Sequence, residues 1–128
     1  MILLLDTSTP ICRMTLIDGE RRSKYEWQAD RQLAKGLLAW LHDKLADHGK
    51  TWQEVTGIGV MLGPGSFTGL RIGLTVLNTL ADSLAIPIVG ATGNDWLNDA
   101  LKKLSTGEND RIVLPYYDSD AKITTPRK

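Results

Sequence analysis

The chain has 128 residues, with fifteen Lys and Arg set against fifteen Asp and Glu for a formal net charge of zero. That length suits one domain burying roughly two thirds of the surface its unfolded chain would expose, and balanced charge gives no long-range pull toward nucleic acid or an anionic membrane. A single cysteine, Cys12, excludes an internal disulfide.

Residues 1–5 form a continuous apolar run that suits a strand buried on both faces, ending at Asp6 and three small hydroxyl residues. The run lacks a basic flank and is too short for a signal peptide or a membrane span, so the chain reads as cytoplasmic. Residues 11–18 predict a second strand in which Cys12, Met14 and Leu16 alternate with Arg13 and Thr15, and Asp18-Gly19 is a hairpin turn signal. A third strand over about residues 20–27 carries Arg22, Lys24 and Glu26 on one face, as an edge strand protected by charge does. The first three strands therefore predict an antiparallel meander.

From residue 30 to 48 the apolar positions Leu33, Leu37, Leu41 and Leu45 recur by fours, joined by Leu38 and Trp40. On a helical wheel they span roughly 160°, wider than the approximately 100° stripe that packing on one sheet requires. The short apolar run 56–62 predicts a fourth strand, and Gly63-Pro64-Gly65-Ser66 must then reverse the chain. Pro64 suits the second position of a type II turn, with a positive φ expected at Gly65. Ser66 or Thr68 is placed to cap a helix running to about Ala85.

Gly69 and Gly73 lie on one face of that helix and admit another backbone, whose identity the spacing leaves open. Leu70, Ile72, Leu74, Val76, Leu77, Leu80, Ala81 and Leu84 surround a narrow polar strip of Arg71, Thr75, Asn78 and Asp82, so this helix needs cover on most sides. Arg71 sits in the first turn, where the macrodipole disfavours a cation, and is expected to meet a carboxylate or phosphate unless solvent alone holds it.

Residues 86–90 predict a fifth strand with Pro87 at its start. Asn94 or Thr92 is placed to cap a third helix with Trp96, Leu97, Ala100, Leu101 and Leu104 as its apolar stripe. A polar connector, 105–110, leads to a last apolar run, 111–117. Asp118-Ser119-Asp120 is a turn signal before Lys122-Ile123-Thr124, and Pro126-Arg127-Lys128 is expected to fray.

The opening Leu3-Leu4-Leu5-Asp6-Thr7-Ser8-Thr9-Pro10, the central segment from Gly63 through Ser66, Phe67, Thr68 and Arg71 to Leu74, and the later Ile86-Pro87-Ile88-Val89-Gly90 closely resemble the TsaB (YeaZ) family. Members of that family are partner proteins in making the threonylcarbamoyladenosine modification of tRNA. The resemblance covers residues 1 to about 100 and implies an RNase H-like α/β lobe of the actin/sugar-kinase/Hsp70 superfamily, with a mixed five-stranded sheet and three helices. It implies a lobe over residues 1–110, with 111–128 as the vestigial start of a second lobe and a C-terminal tail, begun by a strand at 111–117.

The same resemblance implies a non-catalytic subunit that docks on TsaD through its first two long helices and forms a homodimer through them when alone. It meets tRNA only indirectly, and an ATPase subunit, TsaE, joins the pair in the related bacterial system, through a surface that a missing lobe would reduce. The interface candidates are Leu33, Leu37, Leu38, Trp40, Leu41, Leu45, Gly69, Ile72, Gly73, Val76, Leu77 and Leu80. An alternative in which the two helices only bury each other against the sheet stays open at this point.

Catalytic residues, cofactor and metal are not expected. Actin-like ATP sites lie between two lobes, and catalytic relatives place two histidines four residues apart on the first long helix, where this chain has Gln32 and Lys35 and carries His42 and His48 instead. The loop has a shape suited to an anion at a helix N-terminus but lacks the Lys-Ser/Thr of a Walker A motif. Asp6, Gly63, Gly65, Ser66 and Arg71 are the candidate cofactor contacts that remain. Asp6 is expected to make turn bonds or to pair with Arg71, and Cys12 to be a small core residue. Two rival functions are a small phosphotransferase using Asp6 and the glycine loop, and a homodimeric scaffold.

Overall fold

Residues 1–116 are described by a computed structural model, and the apolar run that opens the chain is its central strand. The elements in order are β1 (Ile2–Asp6), β2 (Ile11–Asp18), β3 (Arg21–Gln28), α1 (Leu33–Asp47), β4 (Gly57–Met61), α2 (Phe67–Leu84), β5 (Ile88–Ala91) and α3 (Trp96–Ser105), with short 3-10 turns at Asp30–Gln32 and Trp52–Glu54. The turn signal at Asp118-Ser119-Asp120, the segment Lys122-Ile123-Thr124 and the Pro126-Arg127-Lys128 tail lie outside the described residues.

The strands form one mixed sheet in the order β3-β2-β1-β4-β5. The meander β1-β2-β3 is antiparallel, with Leu4 opposite Thr15 and Thr15 opposite Lys24, while β4 runs parallel to β1 and β5 parallel to β4. This is the five-stranded, three-helix α/β lobe expected from the sequence.

Alternation along the strands decides which helix covers which face. Leu3, Leu5, Ile58 and Val60 point to the side covered by α1 and α2, together with Cys12, Met14 and Leu16. Leu4, Met61 and Val89 point to the side covered by α3, through Trp96 and Ala100. Gly59 is what brings α3 close: a Cβ there would stand 3.0 Å from the Cβ of Ala100 and would collide with Leu4. The cap of α3 differs from expectation. Asp95 occupies that position, and its carboxylate accepts from Asn98 Nδ2 at 2.8 Å rather than from a backbone N–H, so neither Asn94 nor Thr92 closes the helix.

The two sheet edges are treated differently. At β5 the outward backbone groups are sealed: Ile88 N–H donates to Asn109 Oδ1 at 3.1 Å, Gly90 N–H to Asp110 Oδ2 at 2.9 Å, and Gly90 O accepts from Lys103 Nζ at 2.7 Å. At β3 exposed Arg22, Lys24 and Glu26 flank the open edge, which discourages pairing with another chain.

Residues 111–116 are not the strand expected there. Asn78 on α2 grips Val113 from both sides, accepting from its N–H at 2.8 Å and donating to its carbonyl at 2.9 Å, and Tyr116 N–H donates to Leu62 O at 2.8 Å. A side-chain amide thus takes the backbone groups that a neighbouring strand would have used.

Candidate functional site: a filled glycine loop and an open helix groove

The turn after β4 departs from the type II geometry. The positive φ falls on Gly63, at 126°, ahead of a cis Gly63-Pro64 peptide, and Gly65 has no positive φ. Gly65 is small for another reason: a Cβ on it would lie 2.5 Å from both the Cβ and the carbonyl oxygen of Ser8. Ser66 N–H donates to Ser8 O at 2.7 Å, and the Ser66 hydroxyl caps α2 by accepting from Gly69 N–H at 3.4 Å.

The backbone admitted by Gly69 and Gly73 is the chain's own β1–β2 turn. A Cβ at Gly69 would strike the carbonyl oxygen of Thr7, and one at Gly73 would strike the Thr7 hydroxyl and methyl. Thr7 is fully buried, and its hydroxyl donates to Gly69 O at 2.8 Å. The two glycines therefore serve an internal contact and not an intermolecular one, because their faces are already occupied.

Asp6 holds that turn in shape. Its Oδ1 accepts from Ser8 N–H at 2.8 Å and from the Ser8 hydroxyl at 2.5 Å. The Asp6–Arg71 pair does not form: the Arg71 guanidinium lies over the Phe67 ring, 5.1 Å from its centroid, on the outside of α2. The candidate cofactor contacts Asp6, Gly65 and Ser66 are thus joined to one another through Ser8, while Gly63 sits against the carbonyl of Tyr116 and Arg71 faces elsewhere. Cys12 is buried under the same turn, and burial, with Asp6 nearby, pushes its thiol up to about 12. A thiol in that state is protonated and a poor nucleophile.

The second region is the groove between α1 and α2. It holds about 400 Å³ and is lined by Ala34, Thr68, Arg71, Ile72, Thr75 and Val76. Leu38 and Phe67 stand on the same two helices with 51% and 55% of their surface exposed. Apolar surface left to water on this scale marks an interaction face more often than an isolated side chain does.

Several interface candidates belong to the core instead. Leu33, Leu37, Leu41, Leu45 and Leu77 are buried against the sheet, each at or below 6% exposure, so no partner can reach them. Leu80 packs half-buried against the same cluster. Trp40 stacks on Trp27 of the edge strand with ring centroids 5.5 Å apart, and Trp27 also fills the space over Gly36. The wide apolar arc of α1 therefore divides into a buried centre, a flank covered by Trp27, and a flank left open at Leu38. Of the candidates, Leu38, Ile72 and Val76 face the groove region. Phe67 was missed, although an aromatic four residues before Arg71 on a helix places the two side chains together.

The histidines are structural neighbours of aromatic residues. His48 Nε2 and Tyr25 OH are 2.5 Å apart, and His42 lies near Trp52. Among the described residues no group of three His, Cys, Asp or Glu is placed to hold a metal ion, and no helix is long and apolar enough to cross a membrane.

Comparison with known proteins agrees with this architecture. Residues 27–114 match the family model described as TsaD, tRNA N6-adenosine threonylcarbamoyltransferase. The chain is 30% identical over 108 residues to the tRNA threonylcarbamoyladenosine biosynthesis protein TsaB of Haemophilus influenzae, a match covering 84% of this chain and 46% of that protein. It is 36% identical over 120 residues to TsaB of Bacillus subtilis, covering 92% of this chain and 50% of that one. Among solved structures, YeaZ from Pseudomonas aeruginosa superposes with a TM-score of 0.67 at 34% identity, over 71% of this chain and 43% of that chain. The chain thus spans about half the length of the curated relatives it matches.

Proposed function

The chain belongs to the TsaB (YeaZ) family, and from that premise we propose that it is a non-catalytic partner subunit of a TsaD-type enzyme in forming threonylcarbamoyladenosine next to the tRNA anticodon. The observation that carries this reading is the open groove, where α1 and α2 leave Leu38 and Phe67 exposed beside half-buried Ile72 and Val76. A partner presenting two apolar helices would bury this surface at roughly 25 cal/mol for each Å² removed from water.

What supports the non-catalytic part is the occupancy of the glycine loop. Its close approaches are taken by Thr7 and Ser8, where a phosphotransferase would need room for phosphate oxygens. On the same reading residues 1–110 form one actin-like lobe closed along β5 by Asn109 and Asp110, and residues 111–128 begin a second. Transfer chemistry belongs to the enzyme, tRNA is met only through it, a TsaE-type ATPase joins the pair, and the assembly works in the cytoplasm.

The test is depletion of the protein in its host, with mass spectrometry of tRNA nucleosides, beside co-expression with the host's TsaD-type subunit and sizing of the product. A fall in threonylcarbamoyladenosine and a co-eluting heteromer are expected. An unchanged modification level with no co-elution rejects the reading.

A further inference from the structure

Arg71 opens the second turn of α2, which begins at Phe67, and it makes no ion pair among the described residues. Its guanidinium lies over the Phe67 ring, 5.1 Å from the centroid, and Arg71 lines the groove. No Asp or Glu lines that groove.

Neighbouring charge is mixed, with Arg31 and Lys35 outnumbering Asp30. The adjoining cavity is lined by Arg31 and Leu33 from the start of α1 and by Ser66 and Gly69 from the start of α2, so both helix N-termini open at this end and their dipoles add. Lys35 is exposed on the next turn of α1. The carboxylate there, Asp30, accepts from Gln28 Nε2 at 3.3 Å. The groove is therefore free of acids along its lining and carries an excess of cations at one end.

We infer that Arg71 is the specificity-determining charge of this docking face, and that the face selects a TsaD-type partner helix presenting a carboxylate opposite Arg71. This rests on the docking reading proposed above. A carboxylate on the partner gives the unpaired Arg71 the planar, bidentate pairing that guanidinium offers.

The experiment titrates the full chain against the TsaD-type subunit of the same organism by calorimetry, at low salt and at about 0.5 M salt, where surface charge pairs are largely screened. Val76→Asp serves as the arm that tests docking itself, and it is expected to abolish binding. Arg71→Glu is expected to weaken binding about tenfold or more at low salt and far less at high salt, with Arg71→Gln about threefold.

Circular dichroism should show all three variants folded, since Arg71 is exposed and Val76 is only half-buried at the edge of the core. Lysine substitution of acidic residues on the partner's docking helices, one at a time, should restore binding to Arg71→Glu at one position. Parental affinity in Arg71→Glu while Val76→Asp fails to bind overturns the inference and leaves the docking reading standing. Weaker self-association of Arg71→Glu with unchanged partner affinity overturns it as well. Parental affinity in Val76→Asp, or no binding by the parent, removes the docking reading and this inference with it.

Discussion

The glycine loop and the α1–α2 groove share one helix, and they differ in who supplies the cover. Where α2 meets the β1–β2 turn it offers Gly69 and Gly73, and the chain itself fills the space with Thr7. Where α2 meets α1 it offers Ile72 and Val76, half-buried side chains that line a groove of about 400 Å³. Glycines on a helix thus mark a closed internal contact here, and mid-sized apolar residues mark the open one. A reading from small-residue spacing alone would assign the two the wrong way round.

The largest expected effect comes from forcing the closed region open. Gly73→Val places branched carbons on the Thr7 side chain, which is buried with no room to retreat, and is expected to destabilise the fold by about 3 kcal/mol. Thermal denaturation followed by circular dichroism would show it as a large drop in Tm. Retention of parental stability would mean that the β1–β2 turn can move aside and that the contrast between the two regions is false.

Val76→Asp, one turn along the open side, is the counterpart. Because Val76 is half-buried at the edge of the core, the substitution should cost about 1–2 kcal/mol of stability, less than Gly73→Val, while reducing affinity for the TsaD-type partner at least tenfold. Sizing chromatography of the mixed subunits beside a melting curve separates the two outcomes. Loss of folding would move Val76 from the groove to the core.

Removing the Thr7 hydroxyl tests the closed contact more gently. Thr7→Val keeps the shape but leaves Gly69 O without this donor, for an expected loss of about 1 kcal/mol, whereas Thr7→Ser retains the bond and loses a buried methyl. Denaturant titration of both variants reports which term matters more.

The smallest effect is a dependence on alkaline pH. The Cys12 thiol is raised from about 9.0 to about 12 by burial and by Asp6. Above pH 9 the unfolded chain releases this proton while the folded chain keeps it, so the unfolded state binds fewer protons and stability falls as pH rises toward 12. Cys12→Ala should remove that part of the decline, measured as the difference in Tm between pH 8 and pH 10. An identical decline in both proteins would place the thiol in contact with solvent.

Much of the architecture was legible because its signals are local. Alternation in residues 11–18, the hairpin signal at Asp18-Gly19 and the charged third strand each depend on neighbours a few residues away, and β2 and β3 lie where they pointed. The cap at Ser66 was legible for the same reason. The site was less legible because its contacts join distant segments. Thr7 meets Gly69 across 62 positions, and Asn78 meets Val113 across 35. No periodicity announces that a side-chain amide will take the place of a strand. Trp40 illustrates the same limit: its place on the helical wheel showed an apolar flank, while the stacking of Trp27 that covers it depends on where β3 comes to lie.

By itself the sequence determined the strands, the helices and the family, because hydrophobic period, turn chemistry and motif residues are properties of short stretches of chain. Tertiary structure decided which part of each wide apolar helix face is core and which is left to water. That division depends on how much area the sheet and its neighbouring strand happen to cover, and only the packed arrangement sets it: Leu37 is sealed at 0% exposure while Leu38, the next residue, stands 51% exposed beside the groove.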